Sequence, residues 1–287
     1  MRCRVFKQVD VFADQPFKGN PVAVIMDADD LSVEQMAAIA RWTNLSETTF
    51  VLQPTDPGAD YRVRIFTTLH ELPFAGHPTL GTCRAWLEAG GVPCGEEIVQ
   101  QCGVGRVRIR RDANRLAFAA PPLLMSGAAP APQVEAIRAA LGINAHELLD
   151  AQWVDNGAGW MALRLASPEV VLRIRPDVSK LGGTPVGVFA AYSVSTEHEL
   201  PEFEARAFIA GDAMPEDPVT GSLMAGIAQW LQHDRLAPDH YVVNQGRLLG
   251  RTGRIHVDRR GEDIWIGGNA LTLVDGILAA PFVLSRT

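Results

Sequence analysis

Apolar positions recur along the chain with two different periods. Residues 3–12 alternate, with Val5, Val9 and Val11 on one set of positions, which predicts a strand. Residues 20–26, 48–53 and 61–67 read as further strands, the last two joined by the turn-forming Pro54-Thr55-Asp56-Pro57-Gly58. Between the second and third strands the spacing turns helical. Ser32 caps this segment, Gln35 completes a capping box, and Val33, Met36, Ala37 and Ala40 form its apolar stripe. Residues 76–89 are apolar nearly all round, so this helix is expected to be enclosed rather than to lie on a surface. Gly90-Gly91-Val92-Pro93 ends it, and residues 98–101, 105–110 and 116–119 follow as short strands.

The order then recurs. A Pro/Ala-rich crossing at 121–132 leads to small helices at 134–141 and 146–149, a strand at 161–165, and a helix opened by Ser167-Pro168-Glu169. Strands at 186–193 and 204–209, a helix from Gly221 to Gln232, and strands at 241–245, 253–259, 264–267 and 271–273 complete the chain. Two stretches anchor the repeat, Pro73–Gly81 and Gly211–Ser222. Each places Gly and a polar residue (Gly76-His77, Gly221-Ser222) before an apolar run ending in Trp-Leu, and each follows an Arg-x-Phe. This is one unit used twice, and it predicts two sheets, each wrapped around one central helix, with both helix N-termini aimed at one shared site.

Composition narrows the function classes. Apolar content of 47% and charged content of 21% fit a globular protein. The net charge of -7 argues against a nucleic-acid surface, and Arg106, Arg108, Arg110 and Arg111 read as the solvated face of a strand. No apolar run is long enough to span a bilayer and no leader pattern stands at the N-terminus, so a cytoplasmic protein is expected. Cys3, Cys83, Cys94 and Cys102 lack metal-type spacing and are expected to be reduced thiols. Gly103-Val104-Gly105 and Gly157-Ala158-Gly159 fall short of a dinucleotide fingerprint, and no lysine sits in a motif that would anchor a Schiff-base cofactor.

Four motifs in order resemble the PhzF (phenazine biosynthesis) family: Asn44-Leu45-Ser46-Glu47-Thr48-Thr49-Phe50, Pro73–Gly81, Glu216–Ser222 and Gln245–Arg251. The resemblance covers nearly the whole chain. It implies a diaminopimelate-epimerase-like α+β fold of two pseudo-repeated domains, each a mostly antiparallel β-barrel-like sheet around a central α-helix. Those domains are expected at 1–117 plus 276–287 and at 118–275, with the active site in the cleft between them. It further implies cofactor-independent isomerisation by proton transfer at carbon, with no metal. In the namesake enzyme the substrate is trans-2,3-dihydro-3-hydroxyanthranilate. Proteins of this kind often pair as homodimers.

The resemblance also assigns roles. Glu47, which by itself reads as a solvent-facing carboxylate, becomes the acid/base for the carbon-bound proton. Asp217 reads from its own sequence as turn chemistry or a helix cap; the resemblance sets it opposite Glu47, where two carboxylates repel and one tends to hold a proton. His77 is open to metal, catalytic or capping readings, and the resemblance puts it near the substrate's polar groups. Ser222 holds the matching place in the second half, where a plain cap is its bland role. The Gly76 and Gly221 backbones are expected to bind an anionic carboxylate. Glu216 is expected to point away from the site. Ala75 and Thr220 stand where cysteine-dependent racemases of the fold carry thiols, which excludes a two-thiol mechanism, and Thr68 replaces a proline common in the family. Two alternatives stand beside the isomerase: a dehydratase or lyase begun by the same carbanion, and a non-catalytic small-molecule-binding protein.

Overall fold

In a computed structural model of the chain, residues 2–112, 115–193, 202–209 and 215–280 are described; Gly211–Met214 of the second motif and residues 281–287 lie outside them. The first half runs β1 (Arg2–Val11), β2 (Asn20–Ile25), α1 (Val33–Thr43), β3 (Glu47–Leu52), β4 (Tyr61–Phe66), β5 (Glu71–Leu72), α2 (Gly76–Glu88), β6 (Ile98–Cys102), β7 (Gly105–Asp112) and β8 (Arg115–Ala119). After β9 (Met125–Ala128) and α3 (Ala131–Ala140) the same order returns. It runs β10 (Leu148–Asp155), β11 (Met161–Leu165), α4 (Pro168–Arg173), β12 (Val186–Ala191), β13 (Phe203–Phe208), β14 (Glu216–Asp217), α5 (Gly221–His233), β15 (His240–Gln245), β16 (Gly253–Arg260) and β17 (Asp263–Ala280).

Pairing repeats with the order. β2 runs parallel to β3 and β4 parallel to β6, as β11 does to β12 and β13 to β15; the hairpin partners are antiparallel. The two halves are stitched by β17, which pairs with β16 and β8 over its first residues and with β1 from Ala270 onward. Sequence reading splits β17 into two strands because Gly267-Gly268 interrupts it. The strand is continuous, and Gly268 is small there because the Phe12 ring packs where a side chain would begin.

α2 and α5 are the enclosed helices. Every residue from Gly76 to Cys83 and from Gly221 to Ala228 is buried, inside one core that also takes in Val9, Val22, Phe74, Phe118, Val154 and Ile266. Smaller outer layers seal the sheets, one under α1 with Phe50 and Phe66, the other under α3 and α4 with Leu163 and Phe208. The Ser32–Gln35 capping box on α1 is formed from both sides.

Two local expectations need correction. Residues 146–149 hold only a single 3₁₀ turn, Ala145–Glu147, before β10 begins; half-exposed Leu148–Asp155 lacks clean alternation, so that strand was not foreseen. Arg110 is buried rather than solvated. Its guanidinium lies 4.7 Å from the Trp265 ring centre and pairs with Asp112 and Asp258, while Arg106 and Arg108 also have acidic partners. Among the described residues no helix is long and apolar enough to cross a membrane.

Candidate active site

The N-termini of α2 and α5 meet head to head. A side-chain carbon on Gly76 would stand 2.5 Å from the Gly221 carbonyl carbon and the Ser222 nitrogen, so two backbones approach more closely than any other residue allows. The residues before them, Ala75 and Thr220, occupy the N-cap positions, and neither makes a side-chain cap. First-turn N–H groups at both helix starts therefore have no capping side chain, and the positive ends of two helix dipoles converge.

Glu47 opens β3, beside Val22 of parallel β2, and its side chain is only 13% exposed. Its Oε2 lies 3.1 Å from Nε2 of His77, the second residue of α2. The approach is poorly aligned for a hydrogen bond, and both atoms are buried with no other partner. Asn20, at the start of β2, lies against the ring. Its amide Nδ2 reaches His77 Nδ1 at 3.1 Å while also donating to Asp217 Oδ1 at 2.8 Å and the Val219 carbonyl at 3.0 Å. The amide carries two protons, and the Asp217 and Val219 oxygens take them, so the Nδ1 contact does not set the tautomer of the neutral ring; Nε2 faces Glu47. Burial works against the imidazolium. The charges of Glu47, Asp217 and Asp10 outweigh it and raise the His77 pKa.

Asp217 ends β14. Its Oδ2 accepts from the Thr220 hydroxyl at 2.6 Å, and its Oδ1 from Asn20 and, at 3.4 Å, from Ser46. None of these is a helix-capping bond, so the cap reading of Asp217 gives way to a side chain held in the cluster. Burial, then the charge of Glu47, push its pKa up from 3.8 to about 6; His77, Thr220 and Asn20 act in the opposite sense. Glu216 turns the other way, into a two-pronged pair with Arg206. Ser222 does not cap α5 either. Its Oγ accepts from Trp160 Nε1 at 3.0 Å, which leaves the hydroxyl its own proton to donate.

The structure thus gathers Glu47, His77, Asp217, Ser222, Gly76 and Gly221 around one point between the two halves. Asn20 and Trp160, which donate to Asp217 and Ser222, were not foreseen as site residues. Asn20 announces itself only as the start of a strand, and Trp160 follows a glycine-rich turn with nothing to mark its partner.

A buried carboxylate facing an imidazole, with a second carboxylate behind it and two helix N-termini alongside, sits in a diaminopimelate-epimerase-like α+β fold. The phenazine biosynthesis-like protein family (PhzC-PhzF) matches residues 9–276, and the chain belongs to that family. It is 31% identical over 278 residues to trans-2,3-dihydro-3-hydroxyanthranilate isomerase of Pseudomonas aeruginosa, spanning 93% of this chain and 96% of the other. Antisense-enhancing sequence 1 of Schizosaccharomyces pombe is 35% identical over 290 residues, spanning 94% and 97%. A crystal structure of a PhzF-family phenazine biosynthesis protein from Enterococcus faecalis superposes with a TM-score of 0.78 at 26% identity, covering 97% of this chain and all of the other. These likenesses support an isomerase of the PhzF family.

Proposed function

We propose that this protein is a cofactor-independent isomerase that moves a proton between carbons of a small, carboxylate-bearing substrate. The observation that carries the reading is the facing pair, Glu47 Oε2 and His77 Nε2, both buried and otherwise without partners. A buried polar atom without a partner is costly, so two such atoms at one point mark where a ligand completes the site.

In this reading Glu47 removes a carbon-bound proton and returns it to a different carbon, leaving the composition of the substrate unchanged. His77, its pKa raised by the neighbouring carboxylates, donates from Nε2 toward the charge that develops as the carbanion delocalises. The converging starts of α2 and α5, with the Gly76 and Gly221 backbones and the Ser222 hydroxyl, hold the substrate's carboxylate and stabilise the enolate-like intermediate. Asp217, with a pKa of about 6, exchanges protons near neutrality and positions the substrate's polar end. The named isomerase among the relatives makes trans-2,3-dihydro-3-hydroxyanthranilate the first substrate to try.

The test is product analysis. Incubation with that compound, followed by NMR and mass spectrometry, should yield a product of unchanged mass with the double bonds moved. A product that has lost water would replace the isomerase with a dehydratase.

A further inference from the structure

The duplication supplies an internal comparison. On β4–β5 Ile65 opposes Leu72, and on β13–β14 Ala207 opposes Asp217, so Leu72 is the first-half counterpart of Asp217. Ala75 and Thr220, each at the N-cap of its enclosed helix, are counterparts in the same way. The parallel pairings extend the match: Tyr61 opposes Gln100 and Phe203 opposes Val243, which brings Cys102 into line with Gln245 two residues on. The glycines that follow check this register. An added side-chain carbon on Gly103 would stand 2.6 Å from the Pro73 backbone, and one on Gly246 would stand 2.6 Å from that of Pro218. Asp217, Thr220 and Gln245 in one half are therefore Leu72, Ala75 and Cys102 in the other.

In the second half these residues form one bonded unit. Gln245 is 1% exposed. Its Oε1 accepts the Thr220 backbone N–H at 2.9 Å; its Nε2 donates to the Asp217 carbonyl at 3.0 Å and to the Thr220 hydroxyl oxygen at 2.8 Å. That pattern fixes which end of the amide is which, because only the oxygen can take an N–H and only the nitrogen can serve a carbonyl. The Thr220 hydroxyl, already accepting from Gln245, has its single proton left for Asp217 Oδ2 at 2.6 Å. Nothing comparable is available to Leu72, Ala75 and Cys102.

We propose that Gln245 is a positioning residue acting through Thr220: it fixes the direction of the Thr220 hydroxyl so that the hydroxyl donates to Asp217 and keeps that carboxylate turned into the cleft. The inference takes from the preceding reading only that Asp217 belongs to the site. The charged groups around Asp217 are Glu47 of β3 and His77 of α2, with Asp10 of β1 acting on His77; Glu216 on its own strand is occupied by Arg206. Against the burial and the Glu47 charge, a donor held on Oδ2 favours the ionised form.

The test is a ¹³C NMR titration of the Asp217 carboxyl in substrate-free protein, assigned by its loss in Asp217→Asn. Wild type is compared with Gln245→Met, Thr220→Val and their combination. The Asp217 midpoint should rise by at least about half a pH unit in each single variant, the scale set by one lost donor. The double variant should titrate no higher than Thr220→Val alone. An unchanged midpoint in Gln245→Met, or fully additive shifts in the double variant, overturns the proposal. Gln245→Asn, whose shorter amide cannot span to Thr220, serves as the second variant if Gln245→Met does not fold, with the same shift expected and the same null result fatal. No substrate is present, so a failure here leaves the isomerase reading standing, and a failure of that reading leaves this titration unaffected.

Discussion

His77 Nε2 stands 3.1 Å from Glu47 Oε2, and the other ring nitrogen is held by Asn20. The pair joins a strand that begins at Glu47 to a helix that begins one residue before His77. Its first consequence is electrostatic. Burial alone would lower the His77 pKa, and Glu47 is the leading group that raises it. In Glu47→Gln the His77 imidazole should therefore titrate at a lower pH than in wild type, read by NMR of the ring carbons. An unchanged or higher midpoint would mean that Glu47 is not ionised beside the ring.

Asp217 makes the protein's stability depend on pH. Its carboxyl titrates at about 6 when folded against 3.8 as the ordinary value, so the folded state binds the proton more tightly. That contribution is fully present below about pH 4 and is lost as pH rises through about 6, a change on the order of 3 kcal/mol. Asp217→Asn cannot titrate. The melting temperature of wild type relative to Asp217→Asn should fall between pH 4 and pH 7, and a constant difference across that range would contradict the buried, proton-holding carboxylate.

The repeated Arg-x-Phe gives a paired stability test. Arg206 and Glu216 form a pair whose side chains are 5% and 13% exposed, whereas Arg64 and Glu71, its counterpart, are 27% and 37% exposed. Removing one partner of a buried pair strands the other, at a cost of about 3–5 kcal/mol. An open pair contributes about 1 kcal/mol or less. Denaturant unfolding of Arg206→Met and Arg64→Met should show that order, and equal losses would refute it. Because Arg206 also anchors Glu216, next to Asp217, its variant should lose activity as well.

Much of this was legible in the sequence because it is local. Ser32 and Gln35 announce their helix by spacing, the all-round apolar character of residues 76–89 announces enclosure, and the twice-used Gly-polar step announces the meeting of two helix starts. That Glu216 points away from Asp217 follows from strand alternation, whereas Asp217 by itself read as a turn or a cap and only the family resemblance set it opposite Glu47. What was not legible depends on contacts distant in sequence. Asn20 reaches Asp217 across 197 positions, and Trp160 reaches Ser222 across 62. No spacing rule links such partners. Arg110 misled because its strand alternates correctly, yet Trp265 and Asp258 from other strands cover the face it lies on.

The central claim is that Glu47 moves a carbon-bound proton. The most direct test is deuterium incorporation, followed by NMR, when wild type and Glu47→Gln are incubated in heavy water with trans-2,3-dihydro-3-hydroxyanthranilate and a panel of amino and hydroxy acids. If Glu47 is the base, wild type labels a substrate at carbon, and the folded variant does so slower by about 10²–10⁴-fold. Labelling that persists at the wild-type rate in Glu47→Gln would contradict it.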